Sequence, residues 1–168
     1  AVGGWDHLKV LMAAKEYGIS NVRKIKYVSF DGGGDAVTQL LAGNVQIFTG
    51  DVSEIKGFVD AGDIKIIAVL SPNRLPGDFS KFYTAKEQGV NVVGANWRGF
   101  YVPKGMSDDA YNFWAGAIKK MYDTPQWKKT MAKNGLAPLD LSGKAFEAFV
   151  ANSVASIQTI SKQIGIIK

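Results

Sequence analysis

The sequence predicts an α/β domain, a mixed sheet flanked by helices, followed by a C-terminal third that is nearly all helix. Three observations point there. A strand-like run, a glycine turn and an amphipathic helix follow one another twice, over residues 24–42 and 45–61. Ile64 to Leu70 is the strongest strand-like run in the chain, apolar enough to suggest burial on both faces. Beyond Ser107 the apolar residues recur at three- and four-residue intervals.

The elements follow in order. Gly3-Gly4 form a loop, Asp6 is the expected N-cap, and Leu8, Leu11 and Met12 give one face of a helix that stops at Gly18. Lys24 to Phe30 alternates, with Ile25, Tyr27, Val28 and Phe30 suited to a strand. After Gly32-Gly33-Gly34, Ala36, Val37, Leu40 and Leu41 mark a helix from about Gly34 to Ala42. Val45 to Thr49 is a short strand. Asp51 and Glu54 then form a capping box that opens a helix to about Ala61.

After Ile64 to Leu70, residues 71–80 with Pro72 and Pro76 form a loop. Tyr83 to Gln88 is a short helix ended by Gly89, and Val90 to Val93 a short strand. Residues 100–102 are extended up to Pro103. Ser107 caps a helix carrying Tyr111, Trp114, Ile118 and Met121 on one face. Thr124-Pro125 opens another to about Asn134, with proline at the first helical position. Ser142 starts a long helix with Phe146, Phe149, Val150, Val154, Ile157 and Ile164 on its apolar side. These last helices have no sheet to cover, which implies burial against a lobe that this stretch does not supply.

Composition narrows the function. With 46% apolar and 21% charged residues, the 168-residue chain is ordinary for a globular protein. The net charge of +5 comes from lysines scattered through every segment, which reads as a solvated surface and not a nucleic-acid patch. Zero cysteines exclude disulfides, thiolate metal sites and cysteine nucleophiles. The N-terminus carries neither an initiator methionine nor a signal-peptide pattern, and reads as cut from something longer.

Catalytic constellations are scarce. His7 is the single histidine, so any Ser-His-Asp triad would have to use it, and no Gly-x-Ser-x-Gly surrounds Ser29 or Ser53. Dispersed aspartates with one histidine give no metal-ligand spacing, and no cofactor is expected. Gly32-Gly33-Gly34 is neither a Walker A loop nor a dinucleotide fingerprint. What stands out is repetition. Gly3-Gly4, Gly33-Gly34 and Gly50 each precede a helix, so three helix N-termini could line one rim and hold a carboxylate by backbone N–H groups. Each start also carries an acid, Asp6, Asp35 and Asp51, which either caps its helix or opposes an anion unless the ligand brings an ammonium group. Trp5, beside Gly3-Gly4, could pack on a small organic ligand.

Gly33-Gly34, the run from Gly50 to Glu54, "Ala-Val-Leu-Ser-Pro-Asn-Arg-Leu-Pro-Gly" and "Ala-Asn-Trp-Arg-Gly-Phe-Tyr-Val-Pro-Lys-Gly", in this order, resemble the extracytoplasmic receptors of tripartite tricarboxylate transporters, the TctC or Bug family. The resemblance implies a type II periplasmic binding protein-like fold of two lobes closing on a small carboxylate. It implies residues 2–96 as the second lobe, and residues 97–168 as a crossover strand and helices completing a mostly missing first lobe. The ligand-binding positions it implies are Gly4, Trp5, His7, Gly33, Gly34, Asp35, Asp51, Ser53 and Asn96, with no catalytic or metal-binding residue. The implied ligand is a tricarboxylate, dicarboxylate or acidic amino acid. The implied partners are membrane transporter subunits in the periplasm and no nucleic acid, with self-association of the isolated piece. An α/β enzyme acting on a small anion at the same rim is the alternative.

Overall fold

The structure, a computed structural model, describes residues 2–167. Six α-helices account for its regular structure: α1 (Trp5–Glu16), α2 (Gly33–Leu41), α3 (Val52–Ala61), α4 (Asp108–Asp123), α5 (Pro125–Lys133) and α6 (Gly143–Gln163). Short 3-10 turns occupy Val22–Lys24, Gly77–Lys81 and Lys86–Gln88. Among the described residues no helix is long and apolar enough to cross a membrane.

The expected mixed sheet is absent among these residues. The segments 25–30, 45–49, 64–70 and 90–93 run without helix, but they do not form ladders. Strand-type pairing is confined to one parallel bridge between Val69 and Thr84. There the Val69 amide donates to Tyr83 O and the Ala85 amide to Val69 O, each at 3.0 Å. Nearby, the Gly94 amide donates to Leu70 O at 2.8 Å. β-Branched composition favours a pleated, half-buried surface, whereas a ladder also needs a partner in register, and that information is non-local. Nor is Ile64 to Leu70 covered on both faces, since on the face shared by Lys65, Ile67 and Val69 the first two are exposed, Ile67 at 72%, and only Val69 is buried. The Tyr83 to Gln88 helix is likewise reduced to the turn at Lys86–Gln88. The Thr84 amide donates to Glu87 Oε2 at 2.8 Å, and the Glu87 amide returns a bond to Thr84 Oγ1 at 3.1 Å.

Local end signals decide the helices. The Ser107 hydroxyl accepts from the Ala110 amide, and the Thr124 hydroxyl accepts from the Trp127 amide ahead of Pro125. Asp6 is not the N-cap of α1. Gly4 takes that position and Asp6 lies in the first turn, where a carboxylate favours the positive helix end.

Leu8 and Leu11 of α1 meet Val22 and Ile164 in the best-buried cluster, joined by Trp5, Ile157 and Ile160. Burial of each large side chain contributes roughly 1.5–3 kcal/mol, so this cluster fixes α1 against the C-terminal end of α6. A second anchor is Phe79, 2% exposed, whose ring fills the space beside Gly135 after α5. Trp97 stands edge-on to Phe146 and Phe149 of α6, with centroids 5.7 and 5.5 Å away. Residues beyond 97 therefore pack back on the first part of the chain. Phe113 and Trp114 of α4 stay open, 67% and 53% exposed.

Candidate functional site

The starts of α2 and α3 meet at one carboxylate, and the first turn of α1 is tied to Thr49, just before Gly50. Glu54, in the first turn of α3, accepts from the Asp51 amide at 3.1 Å and completes the expected capping box. A Cβ built on Gly33, the first residue of α2, would lie 2.7 Å from Glu54 Oε2, and one on Gly50 would lie 2.6 Å from the same atom. Glycine at these two places is a requirement of close approach. Gly34 meets nothing within 4 Å.

On the α1 side, the Thr49 hydroxyl donates to Asp6 O at 3.5 Å, tying the strand-like segment before α3 to the first turn of α1. The Trp5 indole donates to Ala95 O at 3.1 Å, so its ring is fixed to the segment before Trp97. His7 is buried. Its Nδ1 accepts from the Gly3 amide at 3.0 Å, and its ring stacks on Tyr27 with centroids 4.4 Å apart. Burial lowers the His7 pKa, and burial followed by the Asp6 charge raises that of Tyr27. A neutral imidazole that accepts from backbone is a structural element of the loop.

Asp51 is where charge concentrates. The Asn96 side-chain amide donates to Asp51 Oδ1 at 3.0 Å and the Arg98 guanidinium to Oδ2 at 2.5 Å. Arg98 remains 69% exposed while Asp51 is 23% exposed, so the cation faces outward over a partly covered acid. A second ion pair joins Lys9 Nζ to Asp6 Oδ1 at 2.6 Å. The Lys9 side chain is buried, and its stem runs beneath Gly94, where a Cβ would approach Lys9 Cγ to 2.7 Å.

Among the expected positions, Asn96 is linked to Asp51 and Gly33 lies against the Glu54 carboxylate at the start of α3, while Trp5 is fixed to Ala95, His7 turns to Gly3 and Tyr27, and Gly4 bonds only within α1 among the described residues. Asp35 and Ser53 are exposed on the same helix starts but make no side-chain hydrogen bond among those described. Asp35 does not cap α2, whose N-cap is Gly32. Arg98 and Glu54 are the additions. Glu54 was visible as the capping partner of Asp51, whereas Arg98 reaches Asp51 across 47 residues, a relationship no local pattern encodes. Among the described residues no group of three or more His, Asp or Glu could hold a metal ion.

A family model described as "Tripartite tricarboxylate transporter family receptor", TctC, matches residues 3–166. The chain belongs to the TctC family. Among curated relatives, a UPF0065 protein in the gbd 5′ region of Cupriavidus necator is 23% identical over 162 residues, covering 96% of this chain and 48% of the relative. The crystal structure of a TctC solute binding protein from Polaromonas, without ligand, is 25% identical with a TM-score of 0.69, covering 94% of this chain and 53% of that one. The R. palustris protein Rpa4515 with adipate is 21% identical with a TM-score of 0.87, covering 98% and 54% respectively, a likeness of fold alone. The chain therefore spans about half the length of these relatives. Its backbone follows the path of TctC proteins even though its extended segments do not form a sheet.

Proposed function

We propose that this TctC chain supplies one wall of the binding cleft of an extracytoplasmic receptor, which captures a small carboxylate in the periplasm and hands it to the membrane subunits of a tripartite tricarboxylate transporter. The observation that carries the reading is the rim itself. The starts of α2 and α3 lie together at Glu54, the first turn of α1 is tied to Thr49 just ahead of them, and Asn96 and Arg98 arrive from the segment that leads to the C-terminal helices. Backbone N–H groups at Gly4, Gly33, Gly34 and Ser53 are suited to one end of an anion, and the outward guanidinium of Arg98 to its other carboxylate. The adipate bound by Rpa4515 is a molecule of this kind.

In this reading residues 2–96 form one lobe, and residues 97–168 cross back to complete the other. The exposed Phe113 and Trp114 of α4 then belong to an interface with the remainder of that lobe. Closure of the two lobes on the ligand, with more contacts in the closed state, drives capture and requires no covalent step.

The test is calorimetry with adipate, citrate, malate, glutamate and aspartate, on the 168-residue chain and on a two-lobed protein containing it. The two-lobed protein is expected to bind one or more of these without turnover, and the 168 residues alone to bind poorly. Micromolar binding by the 168 residues would overturn the half-site reading, and conversion of any of these compounds to product would overturn the receptor reading.

A further inference from the structure

The end of α1 opposite the rim forms a second charged feature. A groove of about 670 Å³ lies between the C-terminal ends of α1 and α6 and the turn at Val22–Lys24. Its walls carry Lys15, Arg23, Lys24 and Lys162, and no carboxylate side chain lines it among the described residues. Val22 and Ile164, both buried in the α1–α6 cluster, form its floor. With 12 residues in α1, the groove and the rim are separated by about 18 Å of helix.

Lysines at helix C-termini often serve the helix itself, by capping carbonyls or opposing the dipole. Here backbone amides already occupy three of the last four carbonyls of each helix. In α1 the Gly18 amide donates to Lys15 O and the Ile19 amide to Ala14 O. In α6 the Gly165 amide donates to Lys162 O and the Ile166 amide to Ser161 O. Both helices end at a glycine with positive φ, +101° at Gly18 and +75° at Gly165, the closed C-terminal motif. The side chains of Lys15 and Lys162 are thereby released from capping. The Arg23 guanidinium is seated against Gly165, where a Cβ would come within 3.0 Å of its Cζ. None of the four cations joins an ion pair among the described residues. The neighbouring acid Glu16 lies outside the lining.

We infer that this groove docks an extended acidic segment of a protein partner, with Asp and Glu side chains paired to Lys15, Arg23, Lys24 and Lys162. Charge complementarity selects the acidic character, because four uncompensated cations in one concavity raise the local potential that steers and orients an anionic chain. The concave shape selects a peptide over a bilayer, since a flat lipid surface engages protruding side chains, and this floor is buried. Three of the four cations are lysines, which suit successive carboxylates as point charges, with Arg23 able to take one of them bidentately.

Fluorescence anisotropy of the full chain with a labelled Ac-(Asp-Glu)3-NH2 hexapeptide tests the assignment. Saturable binding is expected, weakening severalfold when salt is raised. The double reversal K24E/K162E is expected to weaken it at least tenfold, and the control reversal K65E/K86E, at exposed lysines elsewhere, to change it less than twofold. Circular dichroism melting of both variants establishes that they are folded; if K24E/K162E is not, K24Q/K162Q replaces it, with at least a threefold loss expected. Absence of saturable binding at low salt, or equal weakening by the two reversals, would overturn the inference. So would vesicles of phosphatidylserine and phosphatidylcholine binding more tightly than the peptide with the same dependence on Lys24 and Lys162.

Discussion

Arg98 reaches across 47 residues to place its guanidinium 2.5 Å from Asp51 Oδ2, so the acid at the start of α3 meets its counter-charge from the segment that leads into the C-terminal helices. A hydrogen bond to a charged group contributes about 1.5–3 kcal/mol. In a two-lobed protein containing this rim, Arg98→Gln is expected to lower affinity for adipate by roughly 10- to 100-fold. Asp51→Asn is expected to leave it unchanged or raise it, because a negative charge has been removed. Calorimetry on the two variants checks both directions; a stronger loss from Asp51→Asn than from Arg98→Gln would contradict the roles given to them.

His7 gives a pH dependence with a definite sign. Its pKa is lowered by burial, so the folded chain binds fewer protons there than the unfolded chain. That contribution to stability is fully present above the ordinary histidine value near ~6.5. It is lost progressively as pH falls below that value toward the lowered folded pKa. Thermal melts at pH 7.5 and pH 5.5 should show a drop that His7→Gln reduces. The variant itself should cost about 1 kcal/mol at pH 7.5 through the lost Gly3 hydrogen bond.

Gly33 and Gly34 separate two reasons for glycine. At Gly34 a Cβ meets nothing, so Gly34→Ala is expected to stabilise the chain by up to about 1 kcal/mol through helix propensity. At Gly33 the added methyl must displace the Glu54 carboxylate and its bond to the Asp51 amide, which cancels that gain. Urea unfolding of the two variants should place Gly34→Ala above Gly33→Ala by about 1 kcal/mol.

The α4 face should reveal itself by association. Phe113 and Trp114 are exposed at 67% and 53%, and their rings lie edge to face with centroids 5.5 Å apart. The isolated 168 residues are expected to self-associate with rising concentration, and Phe113→Glu with Trp114→Glu to reduce it. Light scattering across a dilution series is the measurement. A strictly monomeric wild-type chain would count against an interface on this face.

What was legible in the sequence was local. The caps at Ser107 and Thr124, the capping box at Asp51 and Glu54, and the glycine starts of α2 and α3 are short-range devices, each readable within about four residues. The sheet was not, because pairing requires two distant segments to agree in register, and among the described residues only Val69 with Thr84 does so. The contacts of Asp51 divide in the same way. Its capping partner Glu54 was legible three residues on, whereas the Arg98 partnership depends on the fold. Asp6 and Asp35 looked like caps because acids before an apolar run usually are, yet backbone geometry gave those places to Gly4 and Gly32.

The bridge at Val69 also bears on how this chain behaves in company. Ile64 to Leu70 is extended, rich in β-branched residues, and laddered to neighbours only near its end, with Ile67 72% exposed. Backbone groups left without a neighbour in register offer a template to any other extended strand, including the same segment of a second molecule. Lys65 is the single charge within that run, and a charge on an unpaired edge opposes such pairing. The stretch that reads most strongly as the centre of a sheet is thus the place where a sheet between molecules would begin.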